Sequence, residues 1–271
     1  MAEHDYTERC NIEQKDEIGQ LAKTLDGLGE RLLEADQANR KLEQLRRDFI
    51  ANISHELRTP VTVIRGSLEA LCDKVVTEPG EVEDYHRQML SETLFLQRLI
   101  NDLLDLSRLQ NTDFPIEKEP VNLCDVVQDA VRSSQHLGLQ KNIRIEAELD
   151  TPMYVLEGDY GRLRQMLLIF LDNSIKFSQV SGQVEVTLHH DRLMVTDHGC
   201  GVKQTDLPHV FDRFYNTRGE SNKSGSVLGL AISKQIAERH GIELEMTSSP
   251  GEATSVIMKL PPALKKGSIE Q

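Results

Sequence analysis

From Ile18 onward, apolar positions recur at alternating steps of three and four: Ile18, Leu21, Leu25, Leu28, Leu32, Ala35, Asn39, Leu42, Arg46 and Phe49. This spacing forms a heptad seam of about four and a half repeats and predicts a long helix. Asn39 falls at an a-type position, where a single Asn sets register in two-stranded coils. The seam suits a parallel dimeric coiled coil, with an amphipathic helix packed on its own chain as the alternative. After Ile53 the pattern shifts by one place, because Leu57, Val61, Ile64, Leu68, Leu71 and Val75 form a three-four series in a new phase. Such a slip distorts supercoiling locally. Pro60 removes a backbone donor at the same point and can kink the helix.

Residues 77–80, Thr-Glu-Pro-Gly, read as a turn that ends this helix. A second helix is predicted over 82–110, with Met89, Leu96, Leu99, Leu103 and Leu106 on one face. Two helices joined by a short loop make a hairpin, and two hairpins dimerise into a four-helix bundle. A monomeric hairpin would leave the N-terminal seam unexplained. The polar, proline-containing stretch 111–120 then marks a domain boundary.

Beyond it, helices alternate with short strands. The pattern predicts helices over 122–139, 160–177 and 228–240, strands over 143–149, 153–157, 183–189 and 192–196, and a final hairpin of 243–247 and 255–260. This mixture implies an α/β sandwich with helices on one face of a mixed sheet. The fold class is therefore α+β: a dimeric helical hairpin forming a four-helix bundle, followed by an α/β sandwich. The expected divisions are a frayed start at 1–15, a coiled coil over 16–47, the hairpin over 48–112, the sandwich over 113–262 and a tail over 263–271.

Composition adds limits. The 271 residues allow one or two domains with a real core. A net charge of −13, from 31 basic against 44 acidic residues, argues against a nucleic-acid surface. Cys10, Cys72, Cys124 and Cys200 are far apart with no CxxC pair, and read as reduced thiols in a cytosolic setting. No apolar run approaches the roughly 18–20 residues needed to cross a bilayer. No signal peptide is recognisable, so the sequence reads as cytoplasmic, with membrane attachment expected only through a missing N-terminal part.

The chemistry is concentrated in five stretches. FIANISHELRTPV, residues 49–61, places His55 beside Glu56 and puts Thr59 one turn further on the same helical face. An imidazole serves near neutral pH as nucleophile, base or proton carrier, and Glu56 can accept a hydrogen bond from one ring nitrogen, leaving the other free to attack. LDNSIKFS, residues 171–178, offers the Asn173 amide oxygen to a magnesium ion and Lys176 to a phosphate. DHGCG, residues 197–201, follows a strand. There Asp197 can accept from the exocyclic amine of adenine, while Gly199 and Gly201 admit close backbone approach. FDRFY, residues 211–215, is an aromatic cluster ahead of a polar, lid-like stretch. SGSVLGLAI, residues 224–232, opens a helix with Gly225 and Gly229, a glycine-rich start suited to phosphate oxygens.

SHELRTP, residues 54–60, closely resembles the phosphoacceptor box of sensor histidine kinases, and the four later stretches, in this order, resemble the ATP-binding domain shared by histidine kinases, DNA gyrase, Hsp90 and MutL. Residues 16–28 also resemble the second helix of a HAMP signalling module. The resemblance implies an ATP-dependent autokinase in which His55 attacks the γ-phosphate with Glu56 as base or orienting partner. Asn173 would hold Mg2+, Asp197 would contact adenine, and Lys176 with the segment from Gly225 to Gly229 would hold phosphates. It adds Phe177, Phe214, Arg218 and Leu230 to the nucleotide-binding set. The implied partners are a second copy of the chain and a response regulator, which receives the phosphoryl group on an aspartate. Thr59 implies dephosphorylation of that regulator. Three positions depart from the family pattern: Ile169 replaces a polar residue, Val227 a glycine, and Asn216 a common arginine. They keep open a phosphatase-dominant or pseudokinase scaffold with a weakened ATP site. The His55 box argues against a gyrase- or Hsp90-type ATPase machine.

Overall fold

A computed structural model describes residues 16–111, 114–215 and 228–264. The chain divides into two compact units, Met1–Thr62 and Val63–Gln271.

Helix α1 (Glu17–Cys72) accounts for the described part of the first unit and continues into the second. Its start is fixed by Asp16, whose carboxylate accepts from the Gly19 N–H at 3.1 Å. Charged pairs one turn apart, Asp36–Arg40 and Glu43–Arg47, run along its surface. Ile18, Leu21, Leu28 and Leu42 of the heptad seam are exposed in the single chain. The helix runs through Pro60 without interruption, so the expected weak point is a missing hydrogen-bond donor inside a continuous α-helix. In the second unit α1 ends when Lys74 adopts φ +54° and the Val75 N–H reaches back to the Ala70 carbonyl at 3.0 Å, a Schellman-type closure.

Helix α2 (Pro79–Gln110) begins earlier than the sequence pattern suggests. Pro79 and Gly80 lie in its first turn, where proline's missing N–H costs nothing. Strand β1 (Glu119–Asn122) pairs antiparallel with β3 (Val155–Gly158) in a two-stranded sheet. The reading of the sequence contains no strand at β1, because four residues including Pro120 carry no alternation; only the remote partner makes the ladder. Asn122 then caps α3 (Leu123–Leu139), its side-chain oxygen accepting from both Cys124 N and Tyr154 N.

The main sheet has the order β2-β4-β5-β7-β6, with β2 (Arg144–Leu149), β4 (Gln183–His189), β5 (Arg192–Asp197), β6 (Glu243–Ser248) and β7 (Thr254–Lys259). β2 and β4 are parallel and the other pairs antiparallel, so the sheet is mixed as expected. Alternate residues Val184, Val186, Leu188, Leu193, Val195, Val256 and Met258 are buried, the period-2 signature of a sheet covered on one face. That cover comes from α3, α4 (Tyr160–Phe177) and α5 (Gly229–His240). α4 buries Leu163, Met166, Leu167, Phe170, Leu171 and Ile175 at helical spacing. α2 packs on α5 and buries Leu99, Leu106 and Leu109.

The ends of α4 and α5 are joined by His240. It is buried; its Nε2 accepts from the Asp159 N–H at 3.0 Å, and its Nδ1 donates to the Ile236 carbonyl at 2.7 Å. Burial pushes its pKa below the free value of 6.5. Below pH 6.5 the unfolded chain therefore binds a proton that the folded chain resists, so stability is full above that pH and declines as pH falls. Denaturant unfolding between pH 5 and 7.5 is expected to show this decline. His240→Phe should flatten its contribution and cost about 1–3 kcal/mol at pH 7.5 by leaving the Asp159 N–H without its acceptor.

Candidate functional site

In the first unit, His55 projects from α1 with its side chain 68% exposed. Its Nδ1 is 3.9 Å from Glu56 Oε1, close enough for charge interaction but too long for a hydrogen bond. The bond expected between these neighbours is therefore not made in this rotamer, although Nδ1 is the nitrogen turned to the carboxylate. Thr59 donates its hydroxyl to the His55 carbonyl at 3.3 Å. Ser54 and Thr62 do the same to Ile50 and Arg58. Because Pro60 has no N–H, the Glu56 carbonyl lacks its normal helical donor, and these hydroxyl bonds cluster on the turns around it.

In the second unit, the C-terminal end of α4 meets the end of β5. Asp197 is 6% exposed and doubly held: Oδ2 accepts from the Ser174 hydroxyl at 3.1 Å, and Oδ1 from the Gly199 N–H at 3.0 Å. Burial raises its pKa, and these two bonds with nearby His198 pull it back down. Gly199 forms a bridge with Ser178, and a Cβ there would lie 2.5 Å from the Phe177 carbonyl. Gly201 has φ +69° and is pressed against the Ser249 carbonyl. Both positions thus demand glycine for steric reasons. The result is a fixed carboxylate that can accept from a planar amine-bearing base, while the space beside both glycines is taken by the chain's own backbone carbonyls.

Further along the same helix, Asn173 and Gly229 line one cleft of about 380 Å3 together with Arg164, Gln165, Ile169 and Asp172. Gly229 opens α5, so the positive end of that helix dipole joins the cleft. Ile169 puts an apolar side chain on the wall one turn before Asn173. Lys176 is partly buried, which lowers its pKa, and its Nζ lies 5.0 Å over the Phe177 ring centroid. Burial raises the pKa of Asp172 while Lys176, Arg98 and Lys141 oppose the rise. Leu230 is half-buried in the first turn of α5. Phe214 adopts φ +59°, and its neighbour Tyr215 donates to Asp206 at 3.1 Å and faces the His209 ring at 5.5 Å. Arg218 and Gly225, with Asn216 and Val227, lie outside the described residues.

Asn173 and Gly229 thus share one cleft, and Asp197, Gly199, Lys176 and Phe177 gather where α4 ends, while His55, Glu56 and Thr59 share one stretch of α1. Several contributors were not read from the sequence. Ser174 holds Asp197; Gln165 shares the Asn173 face at eight residues' distance, a signal that helical spacing carries. Lys141 donates to the Ile175 and Lys176 carbonyls at 3.1 and 2.8 Å, closing α4 from a remote loop with no local signal. Among the described residues, no three His, Cys, Asp or Glu side chains form a metal cage. A hard cation here would take oxygens from Asn173 and from bound phosphates, the usual habit of Mg2+, and the neutral amide on the cleft wall fits that use.

Residues 45–112 match the His Kinase A (phospho-acceptor) domain, and residues 158–264 match the histidine kinase-, DNA gyrase B-, and HSP90-like ATPase domain. The chain is 36% identical over 248 residues to the phosphate regulon sensor protein PhoR of Pseudomonas aeruginosa, covering 89% of this chain and 56% of PhoR. It is 35% identical over 233 residues to sensor protein SrrB of Staphylococcus aureus, covering 81% of this chain and 39% of SrrB. The chain spans about half or less of the length of these relatives. Histidine kinase ThkA, solved in complex with response regulator protein TrrA, shares the fold at a TM-score of 0.68 and 20% identity, over 85% of this chain and 66% of ThkA.

Asp197→Asn keeps the shape of the side chain and replaces one acceptor oxygen by a donor. Calorimetric titration with ADP should show about a ten- to hundredfold loss of affinity, with the fold retained. Unchanged affinity would remove Asp197 from base recognition.

Proposed function

Because this chain belongs to the sensor histidine kinases of two-component systems, we propose that it phosphorylates its own His55 from Mg-ATP and passes the phosphoryl group to an aspartate of a response regulator. The observation that carries this reading is the pairing, in one chain, of an exposed His55 turned by Nδ1 toward Glu56 with a buried, doubly held Asp197.

The roles follow from the donors present. Asp197 accepts from the adenine amine, and the backbone at Gly199 and Gly201 lies against the base. Asn173 would hold Mg2+, which when bound would supply charge neutralisation for the phosphates. Lys176, Gly229 and Leu230 would serve the phosphate oxygens and Phe177 and Phe214 would border the nucleotide; Gly225 and Arg218, expected in the same roles, lie outside the described residues. In the transfer, the lone pair on His55 Nε2 forms the N–P bond as the γ-phosphorus leaves its bridging oxygen and ADP departs. The positive charge then on the ring is held through the Nδ1 proton by Glu56. A loose phosphoryl transfer of this kind requires chiefly position and charge neutralisation. The regulator's aspartate next attacks phosphorus and the N–P bond breaks. Thr59 orients a water in the reverse service, hydrolysis of the regulator's acyl phosphate. Its hydroxyl bond to the His55 carbonyl, at 3.3 Å, has to be released or shared for that.

The exposed residues Ile18, Leu21, Leu28 and Leu42 support a homodimer through the seam of α1. In this reading 16–47 form a coiled coil or partial HAMP-like helix, 48–112 the dimerisation and phosphotransfer hairpin, and 113–262 the ATP-binding domain. No helix among the described residues is long and apolar enough to cross a membrane. A kinase of this family draws on ATP and a response regulator, which supports a place of work in the cytoplasm. A second reading, a phosphatase-dominant scaffold with a weakened ATP site, draws support from Ile169 on the cleft wall.

Incubation with γ-labelled ATP and Mg2+ is expected to give acid-labile, alkali-stable label on the chain and none on His55→Ala. ATP binding without label would favour the scaffold. Thr59→Ala should keep autophosphorylation while slowing regulator dephosphorylation at least about tenfold; an unchanged rate would exclude Thr59 from hydrolysis.

A further inference from the structure

One carboxylate of α2 reaches the cleft wall indirectly. Asp105 Oδ1 accepts from Arg162 Nη1 at 3.1 Å, and its Oδ2 accepts from Gln165 Nε2 at 2.9 Å. The triangle closes where Arg162 Nη1 donates to Gln165 Oε1 at 2.8 Å. Asp105 and Arg162 keep only 25% and 19% of their side chains exposed. Both functional ends of the Gln165 amide are therefore committed to this clasp, yet Gln165 also lines the cleft that holds Asn173 and Gly229.

Asp172 lies seven residues after Gln165 on the same wall; burial raises its pKa, and the charge of Arg98, seven residues before Asp105 on α2, opposes that rise. Leu99, Leu106 and Leu109 are buried beside these polar residues, and Arg239 of α5 holds the exit of α2 by donating to the Leu109, Asn111 and Phe114 carbonyls.

We propose that the Asp105 clasp is an autoinhibitory contact: the docked α2 and a bound nucleotide compete for Gln165, so that docking weakens nucleotide binding and nucleotide loosens docking. The inference rests on the nucleotide reading of the cleft. The clasp keeps the Gln165 amide, which lines the cleft, from turning to phosphate or cation. A ligand shifts such an equilibrium only through its different affinity for the two states, and the coupling is reciprocal. A helix connected to the phosphoacceptor segment can in this way control how readily the second unit loads.

The test uses the whole chain with ADP and Mg2+. Asp105→Ala should bind ADP about fivefold or more tightly than the parent by calorimetry, and Asp105→Asn, which keeps the side-chain volume, should shift binding in the same direction. In a Gln165→Ala background, removing Asp105 should change affinity far less, because the shared residue is gone. In the parent, adding ADP should speed amide hydrogen exchange across residues 99–109. Unchanged or weakened ADP binding in both Asp105 variants, or slowed exchange in α2 on adding ADP, overturns the clasp while leaving the kinase reading intact. A parent chain that binds no ADP overturns the nucleotide reading itself.

Discussion

The burial of one face of α4 is the constraint on which the second unit depends. Leu163, Met166, Leu167, Phe170, Leu171 and Ile175 lock the helix onto the sheet and leave its rotation no freedom. Each such side chain contributes about 1.5–3 kcal/mol when fully buried, far more than any single polar contact on the helix. With the apolar face committed, every other face has an assigned neighbour. Arg164 bonds Asp129 and Ser133 of α3 at 2.9 and 2.7 Å, Ser174 bonds Asp197, Arg162 and Gln165 meet Asp105, and Asn173 looks into the cleft. A slip of one residue would rotate all of these by about 100° and destroy each contact.

Burying the Asp197 carboxylate is costly, and the surrounding geometry answers that cost. A carboxylate removed from water needs donors, and the Ser174 hydroxyl and the Gly199 N–H are two that serve it among the described residues. The second donor exists because the chain turns tightly at Gly199, where any side chain would strike the Phe177 carbonyl. The glycine, the serine and the aspartate are therefore one structural requirement, not three. The outcome is a fixed acceptor.

His55 presents the opposite case. It is exposed on a single helix, with Glu56 next to it in sequence, Thr59 one turn on and Pro60 just beyond. Its surroundings are a property of local sequence. In the second unit, the contact of α2 with Gln165 reaches the wall of the cleft that Asn173 lines.

What was legible in the sequence follows this division. The three-four seam of α1, the bounds of α4 at 160–177 and the strand at 183–189 were readable because helical and strand periods are local records of which face is buried. Asp197, Gly199 and Asn173 could be singled out as candidates because the residue types concerned are compressed into short stretches. β1 was not, since its ladder to β3 depends on residues more than thirty positions away. Nor was the α2 start at Pro79, where turn-forming residues also suit a first helical turn. Ser174, Lys141 and Asp105 act through partners 23, 34 and 60 residues distant. The sequence by itself determined the helices, the strands of the main sheet as segments and the run that sets His55 beside Glu56 and Thr59. The tertiary structure alone decided which buried carboxylate receives which hydroxyl, and which helix holds Gln165, because those choices depend on the distances between elements that no local pattern encodes.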